Sequence, residues 1–427
     1  MNKTQIINHK INKEMEGTYY TIPFIVPDGI ERISVSYTYS RFSGRTGKFE
    51  KTKNVIDLGL MDQNGFFIGW SGSSKQTVFT GAYSSTPGYL MAEIQRGEWF
   101  IIVGAYKIPD GGLDVCYEIE FTIRQPRWLA GDLHVHSNAS DGQYDTAALA
   151  KKAKKAGLDF FAVSNHNNYS DNLYLPVVPD LTILPAVEWT HYKGHFNFFG
   201  VAVPFENSFI ANSEEEMLAL IKSAKEKGAL ISVNHPKCTI CPYLWNNDDC
   251  FDLVEVWNGP MRTVNMNALF WWHELLQIGK KIPVIGGSDY HRDLHSVRLG
   301  FPVTRVFSSS PAVNDILSAV KNGHCYITSS VGGAVLGLNC EEAMMGDSVI
   351  WHEGLELSVS TEGARLGSML KLITSSGVAA EWKRFPGGKL ETNVSVPDTW
   401  RFAYLVLSIK IFGREYARAI SNPVYFE

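Results

Sequence analysis

No stretch of this 427-residue chain approaches the ~20 consecutive apolar residues that span a bilayer, so no membrane-crossing helix is expected. The opening residues, MNKTQIINHKINKEMEG, have no apolar core of the kind a secretory leader needs, which predicts a cytoplasmic protein. Basic charge is not in excess: 39 Lys and Arg stand against 44 Asp and Glu, for a net charge of −5. The basic runs are short, Lys151–Lys155 being an example, so a dedicated nucleic-acid-binding surface is not expected. Cysteine is sparse. The six thiols (Cys116, Cys238, Cys241, Cys250, Cys325 and Cys340) read as free thiols of a reducing compartment rather than a disulfide framework. With 45% hydrophobic and 19% charged residues the chain can bury a core, which excludes disorder and small stapled scaffolds.

Three zones of different periodicity are present. Residues 18–125 alternate apolar and polar positions between closely spaced turns, as in ERISVSYTYS and CYEIEFTI, and predict a β-sandwich. From about 128 to 330 strands alternate with helices, which predicts a parallel sheet, open or closed as a barrel. Asp145 and Gly157 bound one helix, a capping box of Ser213 with Glu216 opens another, and Pro311 is expected in the first turn of a third. Residues 335–427 return to strands. The expected domains are therefore 1–126 (β-sandwich-like), 127–334 (α/β barrel) and 335–427 (β-sandwich-like).

Eight of the twelve histidines lie within residues 131–291, little more than a third of the chain. Their placement says more than their number. His134 and His136 are two apart on a strand, so both side chains face one side and can grip one ion. Asp141 follows in the next turn. Further strands end in His166, Glu188, His235 and Asp289; His291 follows Asp289, and His195 opens a strand. Strand ends gather at one face of a barrel, where barrel enzymes place their sites. Imidazoles mixed with carboxylates suit zinc, manganese or iron.

The ordered set His134-Val-His136, Asp141, Ser-Asn-His166, Glu188, His195, Asn-His235-Pro and Ser-Asp289-Tyr-His291 resembles the PHP (polymerase and histidinol phosphatase) metallohydrolases. The resemblance covers about 128–330. The β flanks and the ending Ser421-Asn422-Pro423-Val424-Tyr425 are similar to its carbaryl-hydrolase-type branch. It implies an α/β fold, a distorted (β/α)7 barrel with two or three metal ions. By that resemblance His134, His136, Glu188 and Asp289 hold one ion. Glu188 bridges to a second held by His195 and His235, and Asp141, His166 and His291 hold a third. His191, close by in the same loop, is the alternative to His195. Asn165 departs from the family, which often has an acid there.

The expected activity is phosphoester hydrolysis of a small molecule by a metal-bridging hydroxide, with Glu188, Asp289 and His291 as the catalytic residues. Lys237 and Arg292 follow ligand motifs and are candidates for binding an anionic substrate. One alternative is carboxylic or carbamate ester hydrolysis at the same site. Another is a ligand-binding β module beside an inert barrel. Glu255 reads equally as a buried residue or as a partner of a ligand, and Trp271, Trp272 and His273 read as helix packing.

Overall fold

Alternating apolar and polar residues in the first third of the chain build two four-stranded antiparallel sheets over one shared core. The computed structural model describes residues 3–43, 52–206, 208–294 and 296–427. One sheet runs Lys3–Ile11, Leu113–Ile123, Ile30–Tyr39, Thr77–Gly81; the other runs Tyr19–Val26, Gly97–Lys107, Val55–Met61, Phe67–Trp70. Every second residue points inward, so Ile33, Val35 and Tyr37 meet Ile56, Leu58 and Leu60 inside, together with Trp99. Residues 1–125 and 177–180 form one compact unit and the rest of the chain a second.

The second unit begins with strands and helices numbered here in chain order: β1 (Arg127–Val135), α1 (Thr146–Ala156), β2 (Phe160–His166), β3 (Thr182–His191), β4 (Gly194–Phe199), α2 (Glu214–Glu226), β5 (Leu230–Asn234), β6 (Leu253–Asn258), α3 (Thr263–Gln277), β7 (Val284–Gly287), β8 (Val303–Ser308), α4 (Val313–Lys321) and β9 (Cys325–Thr328). The strand order is β7-β6-β5-β4-β3-β2-β1-β8-β9. The sheet is mixed, which corrects the expectation of a parallel one. β4 runs antiparallel to β3 and β5, and β8 antiparallel to β1 and β9. The reason is local. His191 pairs with Gly194, so only Tyr192 and Lys193 connect β3 to β4. Two residues make a hairpin, whereas a parallel crossover needs a dozen or more.

The helix boundaries follow their caps. Asp145 accepts from the Ala148 N–H at 2.7 Å, and Gly157 closes α1 with φ of 80°. Ser213 and Glu216 form the capping box of α2. Pro311 is the exception: Ala312 is the N-cap of α4, so the proline stands just outside the helix. There its carbonyl accepts from Thr182 Oγ1 at 2.6 Å.

The chain after β7 turns back onto β1. Tyr290 bridges Val135 in parallel, and the His136 N–H donates to the Tyr290 carbonyl at 2.9 Å. Fully buried Asp132 fixes this junction. Its carboxylate accepts from Ser288 N–H (2.8 Å), Ser288 Oγ (2.5 Å) and Gly300 N–H (2.8 Å). Asp132→Ala would leave those buried donors unpaired, and a destabilisation of about 3 kcal/mol or more is expected. Urea unfolding checks this; a loss below about 1 kcal/mol would contradict the clamp.

Beyond residue 335 the sheet runs on without a break. β9 pairs with Arg414–Ser421, which pairs with Phe402–Ile411, then Ser368–Thr374 and Gly377–Trp382. A separate four-stranded sheet holds Ala343–Met344, Val335–Cys340, Glu356–Glu362 and Lys389–Ser395. Buried Asn422 accepts from the Val284 N–H at 2.7 Å and donates to the Cys325 carbonyl at 2.8 Å. The C-terminal segment therefore buttresses β7, the strand that leads to Asp289.

Candidate metal centre

Strand alternation sends Leu133 and Val135 into the core and aims His134 and His136 together at the opposite side. Both imidazoles are fully buried, with ring centroids 5.1 Å apart. Gly287 makes room for them, because a Cβ there would collide with the Cβ of His134. His134 Nδ1–H donates to Glu255 Oε1 at 2.9 Å, which fixes the tautomer and leaves Nε2 facing the cluster. Glu255 Oε2 accepts from the His235 N–H at 3.0 Å and from Asn258 at 3.1 Å. Glu255 thus partners two ligand candidates and is not only a buried residue.

Glu188 lies at the centre. Its Oε1 is 3.2 Å from His134 Nε2, 3.2 Å from His195 Nδ1 and 3.3 Å from His235 Nε2. Oε2 is 3.6 Å from His136 Nε2 and 2.7 Å from His166 Nδ1. Asn234 also donates to Oε1, at 3.0 Å. Asp289 Oδ1 faces His136 Nε2 at 3.1 Å and His134 Nε2 at 3.5 Å. At the outer edge Asp141 Oδ1 is 3.2 Å from His291 Nε2 and 3.7 Å from His166 Nε2. The rings of His166 and His291 flank His136, with centroids at 4.3 and 4.1 Å. Two ligand candidates hold left-handed backbone, His235 at φ 30° and Asp289 at φ 51°, the strain expected where a site dictates side-chain direction.

Four groups among the described residues could hold a metal ion: His136, Asp141, His166, His291; His134, His136, Glu188; His134, His235, Asp289; and His195, His235, Cys241. The fit is testable on orphaned atoms. Among the described residues, His134 Nε2 and both ring nitrogens of His136 are buried with no hydrogen-bond partner, and Glu188 Oε2 meets only imidazole nitrogens. Such atoms cost free energy unless something else satisfies them. The distances of 3.1–3.6 Å from His134 Nε2 and His136 Nε2 to the Glu188 oxygens and Asp289 Oδ1 match the roughly 3.3 Å edge of a tetrahedron of donors about 2.0 Å from one ion. The donor set fits a cation.

The electrostatics agree. Burial opposes charge on Glu188, yet His134, His166 and His195 hold its carboxyl well below the usual range. Asp289 is likewise held well below it by His134 and His136 against the effect of burial. Burial pushes His136 down to about 4, into the neutral form that ligates. His134 goes the other way: burial disfavours its charge, but Glu255, Glu188 and Asp289 raise it well above its ordinary value. The field that draws a proton there draws a metal cation equally, and binding would release that proton.

All nine residues expected as ligands are thus brought together. His191 is not among them: its Nδ1 accepts from the Lys193 N–H at 3.1 Å, and its ring stacks on Trp189. Lys237 places its ammonium over the Trp271 ring at 4.9 Å, and Arg292 is an exposed neighbour of His291. Trp272 and His273 pack within α3 and against Tyr404. Cys241 joins the site, with Sγ 3.6 Å from His235 Nδ1 and 3.3 Å from Cys238 Sγ. Asn165 is a polar hub: its Oδ1 accepts from the Ser137 N–H at 2.7 Å and its amide donates to Asp171 at 3.2 Å. Asp132 and Thr190 escaped sequence reasoning, as did the contacts of Asn234 and Cys241 with the cluster. For Asp132 a signal existed, an acid inside the otherwise apolar run Leu129–Leu133.

No protein-family model and no curated protein matches the chain. Among solved structures, a two-domain protein from Bacteroides vulgatus containing a predicted PHP-like metal-dependent phosphoesterase gives a TM-score of 0.41 at 15% identity, over 69% of this chain and 95% of that one. PsfC from Pseudomonas syringae gives 0.38 at 16% identity, over 48% and 93%. An amidohydrolase from Chromobacterium violaceum with bound sulfate gives 0.27 at 14% identity, over 39% and 89%. At such scores and identities the properties of these proteins do not transfer to this chain.

Proposed function

We propose that the chain is a metal-dependent hydrolase of small-molecule phosphoesters, with a PHP-type distorted (β/α)7 barrel over 127–334 and β-rich flanks at 1–126 and 335–427, akin to the carbaryl-hydrolase-type branch. The return of the chain after β7 onto β1 supports a closed barrel. The observation that carries the function is Glu188, a buried carboxylate with five imidazole nitrogens within 3.6 Å. Two or three zinc, manganese or iron ions bound by these residues would lower the pKa of a water nucleophile and neutralise charge growing on phosphoryl oxygens. Glu188 and Asp289, held ionised, fix the spacing and charge of the donor set. Glu255 keeps the His134 Nε2 lone pair turned inward. With no ion at the outer position, His291, partly exposed with Nε2 facing Asp141, can instead pass a proton to the leaving oxygen. Lys237 and Arg292 are proposed to meet the anionic substrate at the rim.

A screen of phosphomonoesters, phosphodiesters and carboxylic esters, with Zn²⁺, Mn²⁺ or Fe²⁺ added back, tests the reading. Ion-dependent phosphoester turnover is expected. Turnover of carboxylic or carbamate esters alone would overturn the substrate class, and no turnover with any ion would favour an inert barrel.

A further inference from the structure

A cavity of about 660 Å³ opens beside the metal centre. Its lining includes His195 and Cys241, which belong to one candidate metal group, and Thr190, whose Oγ1 lies 2.6 Å from His166 Nδ1. The cavity is therefore continuous with the cluster. Asn167, His191 and Asn212 also line it, but most of the remaining wall is apolar: Trp189, Tyr192, Phe209, Ile210, Ala211 and Ile240. Among the described residues no Lys, Arg, Asp or Glu lines it. The two lysines closest in sequence are turned to indole faces, Lys193 over Trp245 and Lys237 over Trp271, each at 4.9 Å. The wall is built, not draped: the Trp189 indole N–H donates to the Phe209 carbonyl at 2.7 Å, and the Asn212 N–H donates to Glu216 Oε2 at 2.6 Å. Its volume lies in the range of pockets that enclose whole small molecules.

We propose that this cavity receives a bulky, uncharged, apolar group of the substrate, an aryl or branched alkyl moiety, while the ester bond sits at the metal centre. The inference rests on the hydrolase reading above and narrows it. A phosphate of a polyol or a sugar would leave its hydroxyls facing Trp189, Phe209 and Ile210 with few partners, at the cost of lost hydrogen bonds. An aryl group instead exchanges apolar surface for apolar surface.

The experiment uses the full-length protein and two variants at exposed wall positions, Ile210→Glu and Ile240→Glu, whose parent residues are 66% and 91% exposed. Binding of 4-tert-butylphenol, followed by tryptophan fluorescence and calorimetry, is the readout that needs no turnover. Saturable binding to the parent, weakened about tenfold in each variant, is expected. For 4-tert-butylphenyl phosphate the KM should rise about tenfold, a larger change than for glycerol 2-phosphate in the same variants. Absent binding, or binding that ignores both substitutions, overturns the cavity proposal. Intact, substitution-sensitive binding with no turnover of any ester overturns the hydrolase reading and leaves the apolar cavity standing.

Discussion

Glu188→Gln is expected to abolish phosphoester turnover and to lower bound metal at more than one position. Loss of an outer partner of a metal ligand typically costs about 10–100-fold in affinity or activity. That is the effect expected for Glu255→Gln, which weakens the hold on His134 Nδ1. Glu188 stands inside that layer, and its two oxygens face His134, His136, His166, His195 and His235 at once. Glutamine keeps the shape but removes one negative charge and one acceptor, so its cost should exceed about 100-fold. His166→Ala, at the Asp141 side of the cluster, should leave the other ions in place. His273→Ala is the control, since its ring bonds to Tyr404 and Gln277 on α3. Activity assays with metal analysis check the series. Equal activity losses in Glu188→Gln, His166→Ala and His273→Ala at unchanged metal content would contradict a metal-based site.

Metal removal is expected to change both the stability of the protein and the way stability depends on pH. Ligands that bind the folded state alone stabilise it by about 4 kcal/mol at a thousandfold excess over Kd. Without ions, Glu188 and Asp289 depend on protons carried by His134 and His235. Both imidazoles are raised well above their ordinary value of 6.5, against the effect of burial, by the carboxylates around them and, for His235, first by Cys241. A raised folded value gives stability that is fully present below 6.5 and is lost as pH rises through the folded value. The depressed Glu188 contributes stability present above its ordinary 4.5 and lost as pH falls through its folded value. The chelated protein should therefore weaken progressively as pH rises beyond 6.5, while the metal-loaded protein should not. Thermal melts of both forms across pH 6–9 check this. Superimposable curves would show that no ion takes over from those protons.

Much of this centre is legible in the sequence because strand ends carry it. Two-residue spacing alone puts His134 and His136 on one side, and His166, Glu188 and His235 each close an apolar run that reads as a strand. What escapes is whatever depends on three-dimensional return. The β3–β4 hairpin hides in Tyr192-Lys193, a connection with no strong turn signal before Gly194, so the mixed sheet was not visible. The Asp132 clamp joins residues 156 positions apart, and Asn422 reaches β7 over 138. Cys241 reads in the sequence as one of six free thiols, and only the left-handed backbone at His235 and the loop after it turn the thiol towards the imidazole. Helix caps such as Asp145 and Ser213 are local hydrogen bonds and read directly. Pro311, displaced to just outside α4, is a local reading that missed by the width of a cap.

The measurement closest to the central claim is the metal content of the purified full-length protein, by mass spectrometry, before and after reconstitution with Zn²⁺, Mn²⁺ and Fe²⁺. About two or three equivalents per chain are expected, falling in Glu188→Gln and unchanged in His273→Ala. A folded protein that holds no transition metal and takes up none on reconstitution would contradict the account.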